Sequence, residues 1–194
     1  MKAKINKNNN DTKREALEMA KNYLQTLGFN GFSFQTIADA LGIRKASLHY
    51  YFSSKEDLGI ALLKEYETAH KEWSEKIKDL SSREKLEKFS RIFTKMGEKD
   101  WLICPTGVLS TDFNTLPAKM KKRLKDFHLV QREWVIQTLE QGKKEKTLRK
   151  DLDCKDTADW IMSTMQGGIQ LARLRNEKEI PKKMITLLLE NIYA

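Results

Sequence analysis

The stretch GIRKASLHYYFSSKEDL, residues 42–58, places aromatic rings beside basic side chains directly after a glycine. Lys and Arg side chains can donate hydrogen bonds to guanine, and Ser, His and Tyr can reach phosphate oxygens or thymine methyl groups. On a short helix over 45–52, five such residues share the arc that faces solvent: Arg44, Lys45, Ser47, His49 and Tyr50. Their types and spacing predict contact with double-stranded DNA.

Further candidate DNA contacts lie on both sides of this helix. Gln35 and Thr36 begin a preceding short helix over 34–41, where they can reach a phosphate or a base edge. Lys55 falls in the first turn of a following long helix, whose backbone N–H groups already favour an anion. We interpret Lys55 as a phosphate clamp. The alternatives are a solvated Lys55 and a surface His49 without a ligand.

Helical spacing of apolar residues indicates the elements that position these side chains. A helix over 11–27 ends at Gly28, and Ser33 is a good N-cap for the helix over 34–41, which ends at Gly42. Two short helices joined by a glycine turn, after a longer helix, indicate a helix-turn-helix. Its predicted core consists of Leu24, Leu27, Ile37, Leu41, Ile43, Leu48 and Phe52.

The remaining sequence continues the helical pattern. Ser53 and Glu56 predict a capping box for a long helix that reaches Leu80, and Ser81 and Glu84 predict another for the next helix. A break at Pro105 is followed by a short helix, and later helices are expected over 117–142, over 156–175 and from about 181. We therefore predict an all-α fold of about nine helices.

This helix order suggests three parts of the chain. Residues 1–10 are expected to form a disordered arm, and residues 11–56 a three-helix helix-turn-helix domain whose connecting helix reaches about residue 71. Residues 57–194 are expected to form a larger helical bundle.

The net charge of +9 is concentrated in two regions of the chain. Residues 1–55 carry nine Lys/Arg against four Asp/Glu, and residues 119–150 carry eleven Lys/Arg against four Asp/Glu. Both basic regions favour an anionic partner.

Composition also argues against several classes of protein. No apolar run approaches the roughly 20 residues of a membrane span, and residues 1–10 have no secretory h-region. The two cysteines lie far apart, which favours a reducing cytoplasm over a disulfide scaffold. His49, His70 and His128 have no second ligand three or four residues later, so we expect no metal site and no cofactor.

The stretch FSFQTIADALGIRKASLHYYFSSKEDL resembles the DNA-binding domain of TetR-type transcriptional repressors over roughly residues 11–71. Their pattern is T-x-x-x-I-A-x-x-x-G-V-S-x-x-x-L-Y-x-Y-F-x-S-K-x-x-L. The shared positions are Ile37, Ala38, Gly42, Leu48, Tyr51, Phe52, Ser54, Lys55 and Leu58. His49 replaces a usual Tyr, and Arg44 replaces a common Ser. The resemblance implies that Tyr51 joins the DNA contacts named above, although Tyr51 also fits the domain core.

In TetR-type repressors the larger domain binds an inducer and forms a homodimer, and the resemblance implies both here. An apolar or aromatic inducer is expected among Phe89, Phe93, Met96, Trp101, Cys104, Phe113, Phe127, Gln131, Trp134 and Gln166, although the apolar members can equally fill a core. The segment CPTGVLSTDF is similar to the ligand-domain corner of TetR-type repressors that respond to reactive aldehydes or oxidants. Two kinds of response therefore stay open: covalent chemistry at Cys104 and reversible binding of a small ligand.

The expected dimer contact lies on the stretch DWIMSTMQGGIQLARLR and the last helix. Its predicted residues are Met165, Gly168, Ile169, Ala172 and Leu188. A symmetric dimer implies a palindromic operator, and an inducer would act by shifting the long helix that ends at the DNA-binding domain. Two other classes remain: a helical adaptor with non-specific DNA binding, and an enzyme that uses Cys104, for which no partner residue or phosphate loop is visible.

Overall fold

A computed structural model of the chain describes residues 9–98 and 101–194. Over these two ranges the chain forms nine α-helices, one 3-10 turn (Phe113–Thr115) and no strand, which confirms the predicted all-α fold. The helices are α1 (Asn9–Leu27), α2 (Phe34–Leu41), α3 (Lys45–Tyr51), α4 (Lys55–Lys76), α5 (Ser82–Glu98), α6 (Pro105–Thr111), α7 (Ala118–Lys144), α8 (Cys154–Arg175) and α9 (Ile180–Ile192). The predicted arm lies outside the described residues except for its last two, which belong to α1. No described helix is long and apolar enough to cross a membrane.

The turn between α2 and α3 follows from residues at the two ends of α2. Ser33 and Thr36 form a capping box, in which each side chain accepts from the other residue's backbone N–H. Gly42 ends the helix in the left-handed conformation, with φ 64° and ψ 31°, which favours glycine. The bounds of α2 match the prediction, because Ser33 and Gly42 determine the two ends of the helix through interactions with neighbouring residues.

Two cores hold the helices together. The first joins α1, α2, α3 and the start of α4 to α6 and the first half of α7, and it includes Leu109, Met120 and Leu124. The second joins α5, the second half of α7, α8 and α9. The helix-turn-helix is therefore packed on the larger bundle through a shared apolar core, and α4 contacts both α1 and α7. The predicted division at residue 56 stays a prediction.

The N-terminus of α4 differs from the prediction by one residue. Ser54, not Ser53, is the N-cap, and its Oγ accepts a hydrogen bond from the backbone N–H of Asp57 at 3.1 Å. The Ser54 hydroxyl also donates to the Asp57 carboxylate at 2.8 Å. The predicted box at Ser81 is confirmed, since Glu84 accepts from both the Ser81 N–H and its hydroxyl.

Substitution of the two adjacent serines tests which of them caps α4. Ser54→Ala should lower the free energy of unfolding by about 1 kcal/mol, because a backbone donor of α4 loses its acceptor. Ser53→Ala, at an exposed position, should change it by less than about 0.5 kcal/mol. Urea denaturation of both variants measures the difference. Equal effects, or a larger effect at Ser53, would contradict the assignment of the cap.

Candidate DNA-binding surface and ligand cavity

The helix α3 is short and divides sharply between a buried and an exposed side. Leu48 is 1% exposed and Phe52, just after the helix, is 4% exposed; both pack into the first core. On the other side, the exposed residues are Arg44, Lys45, Ala46, His49 and Tyr50. Because the apolar side is fixed to the domain, the polar side is presented rigidly to solvent.

Ring contacts position the aromatic members of this surface. The His49 ring packs against Phe34 with centroids 4.9 Å apart, and the Tyr50 ring packs edge-on to Tyr51 at 5.1 Å. Tyr50 is 76% exposed, whereas Tyr51 is half-buried and packs against the first core. The structure thus places Tyr50 at the surface and Tyr51 partly in the core. Ser47, predicted to face solvent, is half-buried as well.

The two predicted contacts on α2 are exposed but already make intramolecular hydrogen bonds. Gln35 donates to the Asp39 carboxylate at 2.7 Å, one turn later. The Thr36 hydroxyl accepts from the Ser33 N–H at 3.2 Å as part of the capping box. Their side chains are therefore held in place, and a DNA contact from either would add to these bonds or replace them.

Lys55 has a structural role that the sequence did not reveal. Its ammonium donates to the Phe32 carbonyl and lies 4.6 Å from the centroids of both the Phe29 and the Phe32 rings. Burial lowers the pKa of Lys55, and the nearby Asp112 carboxylate opposes this shift. Lys55 therefore fastens the α1–α2 loop to α4. The phosphate clamp stays a prediction for its remaining N–H groups.

A partly open cavity of about 400 Å³ lies between α1 and the larger bundle, lined by residues of α1, α4, α5, α6 and α7 and by Cys104. Six of the ten predicted ligand residues line it: Phe89, Phe93, Met96, Cys104, Phe127 and Gln131. Four further lining residues come from α4 and were not predicted: Tyr66, Ala69, His70 and Trp73. Tyr66, Ala69 and Trp73 follow the apolar spacing of this helix, which could have indicated them.

The other four predicted ligand residues lie elsewhere. Trp134 backs the cavity wall, with its ring 5.0 Å from that of Trp73 and 5.3 Å from that of Phe89. Phe113 lies under the ammonium groups of two lysines of α7, at 5.3 and 5.6 Å. Trp101 lies 5.7 Å from the Lys178 ammonium, and Gln166 lies beside Gly107 of α6.

Cys104 is buried in the cavity wall, 4% exposed, immediately before α6. Its Sγ lies 3.1 Å from the Thr106 hydroxyl oxygen, which also belongs to the wall. Cys154 is half-buried far along the chain, and burial raises the pKa of its thiol. Access to Cys104 is thus through the cavity.

A second depression of about 910 Å³, here called the outer groove, runs between α4 and α7. It is lined by Glu67, His70, Lys71, Ser74, Arg123, Asp126, Phe127, Leu129, Val130, Arg132, Glu133, Trp134 and Gln137. His70 and Phe127 belong to both linings, and their rings are 5.9 Å apart. This ring pair therefore separates the cavity from the outer groove.

The predicted dimer residues are buried within the single chain. Met165, Ile169, Ala172 and Leu188 are each 3% exposed or less within the chain itself. Gly168 faces the Pro181 backbone of α9, to which a Cβ would come within 3.4 Å. Gly168 thus lies in the contact between α8 and α9, and Met165, Ile169 and Leu188 belong to the second core of the same chain.

The opposite side of α8 and α9 carries unpaired apolar surface, here called the apolar stripe. Its members are Trp160, Leu171, Leu174, Met184 and Leu187, all exposed. Gly167 is on this side of α8, and a Cβ there would meet no described atom within 4 Å. Monomeric proteins rarely expose contiguous apolar surface of this kind.

Hydrogen bonds connect the cavity wall to the DNA-binding domain. Gln25 of α1 makes two hydrogen bonds with Ile103. Its side-chain amide donates to the Ile103 backbone carbonyl at 3.1 Å, and its backbone carbonyl accepts from the Ile103 N–H at 3.2 Å. Asp112, directly after α6, accepts from the Phe29 backbone N–H at 2.7 Å and from the Asn30 side chain at 3.2 Å. Ile103 before α6 and Asp112 after it are therefore hydrogen-bonded to α1 and to the α1–α2 loop of the DNA-binding domain.

Comparisons with known proteins agree with this architecture. Residues 16–62 match the family model described as bacterial regulatory proteins, tetR family, and residues 84–188 match that of the tetracyclin repressor-like C-terminal domain. No curated protein sequence matches the chain.

Solved structures are similar over nearly the whole length. A TetR transcriptional regulator from Legionella pneumophila is 31% identical, with a TM-score of 0.84 over 97% of this chain and 100% of that one. A TetR-family transcriptional regulator from Agrobacterium tumefaciens is 23% identical, with a TM-score of 0.91 over 96% and 100%. The reduced form of E. coli NemR is 21% identical, with a TM-score of 0.80 over 95% and 97%.

Proposed function

Because the chain belongs to the TetR family of bacterial transcriptional regulators, we propose that it binds an operator in double-stranded DNA through α3. The observation that carries this proposal is the exposed side of α3, where Lys45, His49 and Tyr50 stand on a helix whose other side is buried. A rigid helix with basic and aromatic side chains fits the major groove. Lys45 would donate to guanine, and His49 and Tyr50 would contact phosphates or thymine methyl groups.

We propose that two copies of the chain associate through the apolar stripe. Covering these side chains removes them from water, and the open surface at Gly167 lets a partner helix approach closely. Closed two-fold symmetry is the commonest arrangement of homo-oligomers. Two α3 helices would then enter successive major grooves about 34 Å apart on a palindromic operator.

We further propose that a ligand in the cavity lowers operator affinity, so that the protein acts as a repressor. Pro105 and Thr106 of α6 line the cavity, and Asp112 after α6 binds the α1–α2 loop. A ligand that binds better when α6 is displaced would shift the population toward that arrangement and move the DNA-binding domain. Cys104 in the same wall allows the alternative of covalent chemistry.

The DNA-binding proposal is tested by fluorescence anisotropy with a duplex taken from the region upstream of the gene. We expect tighter binding to this duplex than to a shuffled duplex of equal length at each of several salt concentrations. Affinity that falls with salt but is equal for both duplexes would favour the non-specific adaptor instead.

Asp112 provides a test of the connection between the cavity and the DNA-binding domain. Asp112→Ala should lower the free energy of unfolding by about 1–3 kcal/mol, because the Phe29 N–H loses its acceptor. Amide hydrogen exchange at residues 28–32 should accelerate. Asp126→Ala is the control, since its exposed carboxylate pairs only with Lys122 on the same helix in the described contacts. A similar, small effect of both substitutions would contradict this role of Asp112.

A further inference from the structure

The rings around the cavity suggest the shape of what binds there. Trp73 has its ring centroid 6.0 Å from that of Phe89, and Phe89 has its own 5.3 Å from that of Phe93. Aromatic walls favour flat apolar ligands, which stack on the ring faces or meet their edges. At about 400 Å³, the cavity falls near the small end of the usual range for ligand pockets.

Two oxygens of the same wall lack hydrogen bonds. Tyr66 Oη and Gln131 Oε1 are buried and have no partner among the described residues. Both residues line the cavity. A buried oxygen left without a partner costs about as much as a lost hydrogen bond, and most such groups in proteins are paired. A ligand hydroxyl carries both groups that these two oxygens lack: a donor for the Gln131 oxygen and an acceptor for the Tyr66 hydroxyl.

The charged groups at the wall are compensated within the chain. The Lys21 ammonium lies 3.0 Å from a Glu18 oxygen and 2.9 Å from a Glu65 oxygen. Burial lowers the pKa of His70 and raises the pKa of the Tyr66 phenol, so both side chains are uncharged at neutral pH. An ionised ligand would lose its hydration without gaining a free counter-charge.

We propose that the cavity binds an uncharged hydroxylated aromatic compound, whose hydroxyl bonds to Gln131 and Tyr66 and whose ring packs against Trp73, Phe89 and Phe127. This inference rests on the proposed ligand response and names the chemical class to which the protein responds. The aromatic rings supply most of the contact, and the two oxygens select for the hydroxyl.

Three probes that share one ring system test this specificity by isothermal titration calorimetry on the full chain. They are 2-naphthol, 2-methoxynaphthalene and 2-naphthoate. We expect 2-naphthol to bind at one site per chain, about tenfold more tightly than 2-methoxynaphthalene, which cannot donate to Gln131. We expect no binding of 2-naphthoate at the same concentrations. Equal affinities for the first two probes, or tighter binding of 2-naphthoate, would overturn the proposal.

Variants on one helix locate the effect. Gln131→Leu should remove the preference for 2-naphthol over 2-methoxynaphthalene, whereas Gln137→Leu, at an exposed position in the outer groove, should leave it unchanged. The opposite result would place the probe in the outer groove and overturn the proposal. Tyr66→Phe removes a donor from which the oxygens of 2-naphthol and 2-methoxynaphthalene can both accept, so it should weaken both probes about threefold. It serves if Gln131→Leu does not fold, and unchanged affinities for both probes would overturn the Tyr66 contact.

Operator binding is measured separately with each probe, so that two failures can be told apart. If 2-naphthol binds with the expected preference but leaves DNA affinity unchanged, the cavity assignment holds and the proposed ligand response is contradicted. If none of the probes binds while operator recognition is intact, the cavity assignment alone is overturned.

Discussion

Leu174→Glu should convert the protein from a dimer to a monomer and lower its operator affinity by at least about 100-fold. Leu174 is 81% exposed in the single chain, so the substitution removes no contact within it and should leave its stability nearly unchanged. In the proposed dimer, however, the carboxylate would be buried in the apolar stripe of two chains. In a dimer, binding of one DNA-binding domain holds the second at a high effective concentration near its half-site. A monomer loses this gain, which amounts to a factor of about 10²–10⁴ in affinity.

Light scattering coupled to gel filtration measures the mass, and anisotropy measures the operator affinity. Leu129→Glu is the matched control, because Leu129 is an exposed leucine on α7 outside the apolar stripe. It should leave both quantities unchanged. A Leu174→Glu protein that is still dimeric and binds its operator normally would show that the two chains associate through another surface.

Lys45→Ala should weaken operator binding by about 1–3 kcal/mol for each half-site and reduce the difference between operator and shuffled DNA. The reason is that Lys45, exposed in the first turn of α3, is the candidate for donating to a base. Tyr50→Ala should also weaken binding, since the Tyr50 ring is 76% exposed on this surface. Anisotropy titrations against both duplexes separate lost affinity from lost specificity.

Lys88→Ala controls for the loss of one positive charge, because Lys88 is exposed on α5, outside the helix-turn-helix. It should change both affinities little. Should Lys45→Ala weaken operator and shuffled DNA equally, Lys45 would be a phosphate contact and the base readout would lie elsewhere on α3.

The helix-turn-helix could be predicted closely because its signals are local. Ser33 and Gly42 fix the ends of α2 through bonds and backbone conformations within a few residues, and Leu48 and Phe52 are buried as their spacing indicated. Leu27 was predicted in the same core but is 54% exposed, so that part of the prediction is wrong. At α4 two consecutive serines were both suitable caps. The predicted cap, Ser53, is wrong by one residue, because Ser54 is the N-cap of α4.

The proposed dimer surface could not be predicted in the same way, because α8 has apolar residues on two sides. Met165, Ile169 and Ala172 follow one helical spacing, and Trp160, Gly167 and Leu174 follow another. Both patterns suit a helix contact. Only the position of α9, which covers Gly168 through Pro181, shows which side remains exposed.

Contacts between distant segments account for the other differences. Lys55 binds a carbonyl 23 residues away, and no spacing in the sequence indicates that bond. Trp73 lines the cavity because α4 packs on α7, whereas its spacing along α4 predicted only an apolar side of a helix. His70, which was considered only as a metal ligand, lines the cavity for the same reason. The sequence therefore predicted which segments form helices, whereas the residues that line the cavity depend on how those helices pack together.

Hydroxyl-radical footprinting of the native protein on the DNA upstream of its gene tests most directly whether paired α3 helices bind an operator. The structure leads us to expect two protected segments, related by a palindrome and centred about 34 Å apart, that persist in excess competitor DNA. Protection should shrink or vanish with Lys45→Ala. Uniform weak protection that competitor DNA removes would contradict operator recognition by this protein.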